Sequence, residues 1–281
     1  YFFVSGTNGN LDNLKFVETI DGGAGYDRIF GSSGNDTIDF SSGNPSLANI
    51  EEIDGAAGND TISGTSIADS IRGSVGNDNL NGGNGSDTFL VSGSGDGLDQ
   101  IDGGDGDDTW LGGTGTDYFF VSGTNGNLDN LKFVENIDGG AGYDRIFGSS
   151  GNDTIDFSSG NPSLANIEEI DGAGGNDTIT VSNALATNYR GSTGTDTFVV
   201  TTASAESTIL DFDDSGDDRI DLSSFGLSLN QIQALTTQVG ADIRIDLTSA
   251  SGSGGTGTGD LILVGTTLAS LDFTGATDFI I

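Results

Sequence analysis

The sequence has no cysteine, no histidine and no methionine, and only two prolines in 281 residues. Without histidine or cysteine there is no Ser-His-Asp or Cys-His nucleophile system and no ordinary zinc site. Without cysteine there are no disulfides, so rigidity in an oxidising compartment must come from another source. Basic residues are scarce as well. Eight Lys and Arg stand against 43 Asp and Glu, a formal net charge of -35. That balance argues against nucleic acid and against anionic membrane surfaces as partners. No apolar run reaches the roughly 18 residues of a membrane span, and no N-terminal signal peptide is visible.

Glycine and aspartate fill the space. There are 48 glycines, and only seven of the acidic residues are glutamate. Aspartate is short, favours turns and ligates hard cations. A chain this charged, with few large apolar residues, resists compaction unless something positive neutralises it.

Two repeats organise the chain. The longer has a period of 117 residues: Tyr1–Ile62 returns as Tyr118–Ile179 with only Thr19 changed to Asn136 and Ala57 to Gly174. Tyr118 follows "GGTGTD" whereas nothing precedes Tyr1, so the sequence reads as part of a longer array. The shorter repeat is the nine-residue frame G-x-x-G-x-D-x-U-x, with U apolar. It begins eleven times, at Gly22, Gly31, Gly55, Gly73, Gly82, Gly103, Gly112, Gly139, Gly148, Gly172 and Gly191. The sixth position is Asp27, Asp36, Asp60, Asp78, Asp87, Asp108, Asp117, Asp144, Asp153, Asp177 or Asp196. A twelfth frame, "GTSIADSIR", keeps Asp69 but lacks the fourth glycine. The eighth position is always apolar, from Ile29 to Phe198.

This spacing points to a metal site. Glycine permits the sharp turns that aim carbonyl oxygens inward, and the sixth-position carboxylate joins them. Oxygen-only ligands suit Ca²⁺ rather than a soft metal. Turn chemistry alone does not require aspartate, since asparagine or serine would serve without added charge. The last three residues of each frame favour a short strand whose alternation sends the eighth residue to one face. Two frames make one coil of about 18 residues with parallel strands at the usual sheet spacing, and each loop stacks on the loop two frames later. Every cation is then expected between two stacked loops, with one aspartate from each. "FSSGNPSLANIEEID" between Gly31 and Gly55, and "VSGSGDGLDQID" between Gly82 and Gly103, are expected as lengthened half-coils that keep their flanking frames stacked. Asp36 facing Asp60 is the sharpest such expectation, and Asp27 the least secure. Asp21, Asp54, Asp102, Asp138 and Asp171 read as solvated turn residues or as extra ligands.

The frames "GGAGYDRIF", "GGNGSDTFL", "GGDGDDTWL" and "GGTGTDYFF" resemble the nonapeptides of RTX proteins, which form calcium-binding parallel β-rolls. The resemblance covers roughly residues 20–200. It implies an all-β, right-handed parallel β-roll solenoid, Ca²⁺ as cofactor, and carbonyls of positions one to four as further ligands. Ser32, Ala56, Ser74, Ser149, Ala173 and Ser192 stand at the second position, where that family prefers glycine. The end of the chain also has a resemblance. "ILDFDDSGDDRIDLSSFG" and the terminal "DFII" look like the capping and secretion region of serralysin-type proteases and alginate epimerases. That implies two regions, a roll over residues 1–200 and a β-rich cap over 201–281, and export by type I secretion machinery to the outside or surface of a Gram-negative-type bacterium. Asp211 and Asp218, with Asp213 and Asp221, are candidates for one further Ca²⁺. "LSLNQIQALT" reads as a short amphipathic helix, and "ADIRIDLTSA" and "GDLILVG" as strands.

The expected function is a calcium-binding structural module of a surface-layer or adhesin-like repeat protein, able to self-assemble. The alternatives are the tail of a secreted enzyme whose catalytic domain lies elsewhere, or a module that binds cell-surface polysaccharide. No enzyme is expected within these residues, because the repeat already explains the paired carboxylates.

Overall fold

The computed structural model describes residues 2–3, 17–91, 95–121, 131–158, 162–182, 188–202, 206–212, 218–247, 259–274 and 277–281. The architecture is a parallel β-roll built of short strands, and it forms two compact units. The first comprises Tyr1–Phe120, Asp129–Asp144 and Asn161–Asn166, the second Val121–Leu128, Arg145–Gly160 and Ile167–Ile281.

In the first unit, one parallel sheet orders Phe2–Phe3, Arg28–Phe30, Glu52–Asp54, Ser70–Arg72, Thr88–Leu90, Thr109–Leu111, Asn136–Asp138 and Ser163–Ala165. A second runs Thr37–Asp39, Thr61–Ser63, Asn79–Asn84, Gln100–Asp105 and Leu131–Lys132. Thr19–Asp21 and Ser46–Ala48 pair with each other. In each three-residue frame strand the middle residue is buried and its neighbours are more exposed, as in Arg28–Phe30 and Thr37–Asp39. This is the two-residue period of a strand with one face turned inward. Ile53 pairs with Ile71, Ile71 with Phe89 and Phe89 with Trp110, while Ile38, Ile62, Leu80 and Ile101 line the other sheet. All are nearly inaccessible. Trp110 meets Phe119 edge to face, with ring centroids 5.1 Å apart, the geometry that aromatic quadrupoles favour.

Both interruptions keep their flanking frames in register. Ile38 pairs with Ile62 across the first, and Phe89 with Trp110 across the second. Each interruption builds one coil that is longer than its neighbours.

In the second unit Arg145–Phe147, Glu169–Asp171, Asn188–Arg190, Ser207–Ile209 and Asp260–Leu263 pair in parallel. Thr154–Ile155, Thr178–Ser182, Thr197–Thr202, Arg219–Asp221 and Phe279–Ile280 form the other parallel sheet. Parallel pairing therefore continues past residue 200, through "STI" and "RID". It becomes antiparallel where Asp242–Asp246 pairs with Asp260–Leu263 and with Thr236–Val239. The helix spans Leu229–Leu235 and buries Ile232. Gln231 accepts the amide of Ser228 through its side chain at 2.9 Å, which satisfies one of the orphan donors of a helix start. No helix among the described residues is long and apolar enough to cross a membrane.

On the outer face, arginine neutralises part of the charge. Arg28 reaches Glu52 at 2.5 Å and Asp54 at 2.6 Å, and Arg72 reaches Glu52 at 2.9 Å. The second unit repeats this with Arg145 on Glu169 and Asp171 at 2.6 and 2.7 Å, and Arg190 on Glu169 at 3.1 Å. Each leading arginine also lies 4.5 Å above the ring two residues on, Phe30 or Phe147, a cation–π contact. Asp54 and Asp171 are thus buried ion-pair partners. Their charge is matched by arginine in the adjacent coil, and neither is a solvated turn residue.

Candidate metal centre

The sixth-position aspartates stack into ladders. The backbone N–H of Asp36 donates to Oδ1 of Asp60 at 2.7 Å, that of Asp60 to Asp78 at 2.7 Å, and that of Asp78 to Asp99 at 3.0 Å. On the other side Asp69 donates to Asp87 at 2.8 Å and Asp87 to Asp108 at 2.7 Å. Asp117 donates to Asp144 at 2.8 Å. In the second unit the ladder runs from Asp153 to Asp177, Asp196 and Asp218 at 2.8, 2.8 and 2.9 Å. The step is 18 residues between Asp60 and Asp78, 21, 24 or 27 in the lengthened coils to Asp99, Asp60 and Asp144, and 19 and 22 in the steps to Asp196 and Asp218. Asp36 and Asp60 do stack across "FSSGNPSLANIEEID".

Oδ1 is spent on the ladder. The Oδ2 atoms of Asp60, Asp78, Asp87, Asp108, Asp177 and Asp196 are buried and accept no hydrogen bond. These six residues are at most 2% exposed. A buried carboxylate oxygen without a partner is costly. Burial accordingly pushes Asp60 and Asp177 up to about 7 and Asp78 and Asp87 up to about 6, with neighbouring carboxylates adding to the shift.

The first glycine of the frame makes room for this oxygen. A Cβ at Gly82 would stand 2.6 Å from the carbonyl of Gly103 and would land on Oδ2 of Asp87. A Cβ at Gly148 would stand 2.5 Å from the carbonyl of Gly172 and 2.7 Å from Asp153 Oδ2. Gly31 and Gly112 meet the carbonyls of Gly55 and Gly139 in the same way, and Gly55, Gly73, Gly172 and Gly191 hold the carboxylates of Asp60, Asp78, Asp177 and Asp196 against them. Carbonyl and carboxylate oxygens thus converge between successive loops, a donor set that fits Ca²⁺. Among the described residues no three acidic side chains form one metal-sized group. Each loop offers one carboxylate beside backbone carbonyls.

The second-position residues that depart from glycine keep the turn. Ala56, Ser74, Ala173 and Ser192 have φ of 79°, 70°, 73° and 70°, a region L-residues seldom occupy. Asp54 and Asp171 support them by accepting the amides of Ala56 and Ala173 at 2.8 Å and the hydroxyls of Ser74 and Ser192 at 2.9 and 2.8 Å. Four frames behave differently. Asp36, Asp69, Asp117 and Asp153 begin their ladders, and their Oδ2 folds back onto the amide of Ser32, Thr65, Gly113 or Ser149 in the same loop.

Several participants escape the glycine frame. Asp99 is the sixth residue of "SGDGLDQID", where Ser94 replaces the leading glycine but Gly97, Asp99 and Ile101 keep their places. Burial, with Asp78 and Asp96 nearby, pushes Asp99 up to about 8. Asp27 stacks on no aspartate. Its amide donates to Glu51 at 2.7 Å, and that of Asp108 donates to Glu135 at 2.9 Å. Asp218 joins the ladder above Asp196, whereas Asp211 accepts the amides of Gly191 and Ser192 at 3.1 and 2.9 Å and lies 3.5 Å from Arg190. Asp211, Asp218 and Asp221 form no common group, and Asp213 lies outside the described residues.

A family of calcium-binding repeats matches the nonapeptide frames. Four copies of the RTX calcium-binding nonapeptide repeat match residues 16–47, 53–89, 94–127 and 133–164. No curated protein matches the chain. Among solved structures, the extracellular lipase LipA from Serratia marcescens is similar at 16% identity, over 84% of this chain and 44% of that one, with a TM-score of 0.29. The chain thus spans under half the length of that lipase. With its tandem frames, its parallel roll and its loops of convergent oxygens, the chain belongs to the RTX calcium-binding repeat family, whose nonapeptides bind Ca²⁺ at multiple sites.

Proposed function

We propose that this chain is a calcium-gated structural module of an extracellular repeat protein. It travels through a type I export route unfolded and folds outside the cell as Ca²⁺ enters its loops. The observation that carries this reading is the set of six buried Oδ2 atoms without a hydrogen-bond donor. A chain of net charge -35 that buries unpaired carboxylates is poorly stable without a cation, so metal binding supplies folding free energy. Extracellular calcium modules bind at about 10⁻⁴–10⁻³ M, too weakly to fold the chain in a low-calcium cytosol. Residues 201–281 act as cap and export region in this reading. A surface-layer or adhesin-like array suits the duplication, because both copies build the same arginine clamp, Arg28 on Glu52 and Arg145 on Glu169.

Circular dichroism with calcium and with excess chelator tests the proposal. At a pH above the range of the raised carboxyls, β-structure is expected only with calcium, and full β content in chelator would overturn the proposal.

A further inference from the structure

Three loops that lack the glycine frame place a backbone carbonyl where the frame's oxygen cradle has one. In the regular stack, the carbonyl of the next coil's leading glycine and the frame's own Asp Oδ2 meet at the leading glycine, as Gly103 and Asp87 do at Gly82. At Gly103 itself the next coil has no such glycine. The carbonyl of Phe133 takes that place, and a Cβ there would stand 2.5 Å from Oδ2 of Asp108. At Gly22 the carbonyl of Asn49 takes the same place, beside Cβ and Cγ of Asp27, and at Gly139 that of Asn166 does so beside Asp144. Phe133 and Asn49 both hold left-handed backbone, φ 50° and 52°. Phe133 is 67% exposed, so packing does not account for a bulky residue in this region. Its conformation has a visible result, which is to turn its carbonyl toward the cradle.

Two residues further on, glutamate replaces aspartate. Glu135 Oε2 accepts the amide of Asp108, and Glu51 Oε2 accepts the amide of Asp27. The longer side chain lets an irregular loop reach the ladder position that Asp60 or Asp78 fills elsewhere. Asp108 is fully buried, and its Oδ2 has no hydrogen-bond donor although it is aimed into this space.

Resting on the calcium reading above, we infer that Phe133 and Glu135 complete a divalent-cation site with Asp108, and that Asn49 and Glu51 complete a second with Asp27. These sites draw on no glycine of the second loop and lie outside the nonapeptide pattern. The loops without the nonapeptide frame therefore extend the cation stack by one position at each place.

The test is a crystal of the full chain grown in calcium, with anomalous difference density measured at long wavelength. Peaks are expected between Gly103 and Phe133 and between Gly22 and Asn49, in addition to those beside Asp60 and Asp87. Peaks at the regular frames alone would overturn this inference and leave the calcium module standing. Absence of all peaks would overturn both. In solution, Glu135→Gln keeps an acceptor for the Asp108 amide, so β content at saturating calcium should hold while calorimetry counts one bound calcium fewer. An unchanged count and affinity would also overturn the inference.

Discussion

Replacing Gly82 by alanine separates cradle from turn. Gly82 does not occupy left-handed backbone, so its methyl group acts through space and not through φ. The new Cβ would land on Asp87 Oδ2 and 2.6 Å from the Gly103 carbonyl, two oxygens of the proposed cation position. With a site of about 10⁻⁴–10⁻³ M in about 10 mM calcium, loss of one ion removes RT ln(1 + [L]/Kd), about 1.4–2.7 kcal/mol. Displacement of a backbone carbonyl adds to this. Gly115 is the matched control: it holds the fourth position of a frame, and a Cβ there meets nothing within 4 Å. Gly115→Ala should shift stability by less than about 1 kcal/mol, toward greater stability, by restricting the unfolded chain. Calcium-dependent denaturation and titration calorimetry on both variants give the answer. If Gly82→Ala bound as many ions as the parent with unchanged affinity, the convergence of oxygens at that glycine would not be a cation site.

Acidity should partly replace calcium. Asp78 and Asp87 are pushed up to about 6, Asp60 and Asp177 to about 7 and Asp99 to about 8, from a usual 3.8. A raised folded-state pKa gives stability that is complete below the unfolded value and is lost as pH rises through the folded one. In chelator, β-structure followed by circular dichroism should therefore grow as pH falls from about 8 toward 4, and a flat profile would contradict the burial of these groups. Asp99→Asn keeps an acceptor for the Asp78 amide but loses the charge. Calorimetry should show weaker binding of one ion, by about tenfold or about 1.4 kcal/mol, at unchanged β content. Phe89→Ala, at a fully buried position, should cost about 3–5 kcal/mol in calcium-saturated denaturation.

The roll was legible because two periods coincide in one frame. An apolar residue at every eighth position and a glycine turn before it leave few ways to bury Ile29, Ile71 or Phe89. The stacking of Asp36 on Asp60 followed from counting residues around a lengthened coil. What escaped detection was chemistry without the glycine signature. Asp99 hides behind Ser94, and Glu51 and Glu135 behind a different acid. The extension of the roll through Ser207–Ile209 and Arg219–Asp221 was hidden because those strands follow no intact frame. Pairing of Asp54 with Arg28 joins residues 26 apart in sequence, and no local pattern reports it.

The two differences between the copies follow their neighbours. Asn136 donates to Asp107 at 3.0 Å, while Thr19 at the same place bonds Ser46 at 3.1 Å. Ala57 and Gly174 form equivalent parallel bridges, to Val75 and to Thr193, and a Cβ at Gly174 would stand 3.2 Å from the Thr193 hydroxyl.

The aspartate ladder has a direction. Each amide points to the carboxylate of the coil that follows it in sequence, and the first aspartate of a ladder, such as Asp36 or Asp153, is satisfied within its own loop. The two ends of a stack are therefore unlike, as in a polar filament. At the N-terminal end Oδ2 closes on its own loop, while the amide there, like that of every later rung, is donated to the coil that follows. In the second unit the ladder accordingly runs from Asp153, closed within its own loop, to the carboxylate of Asp218, which accepts the amide of Asp196.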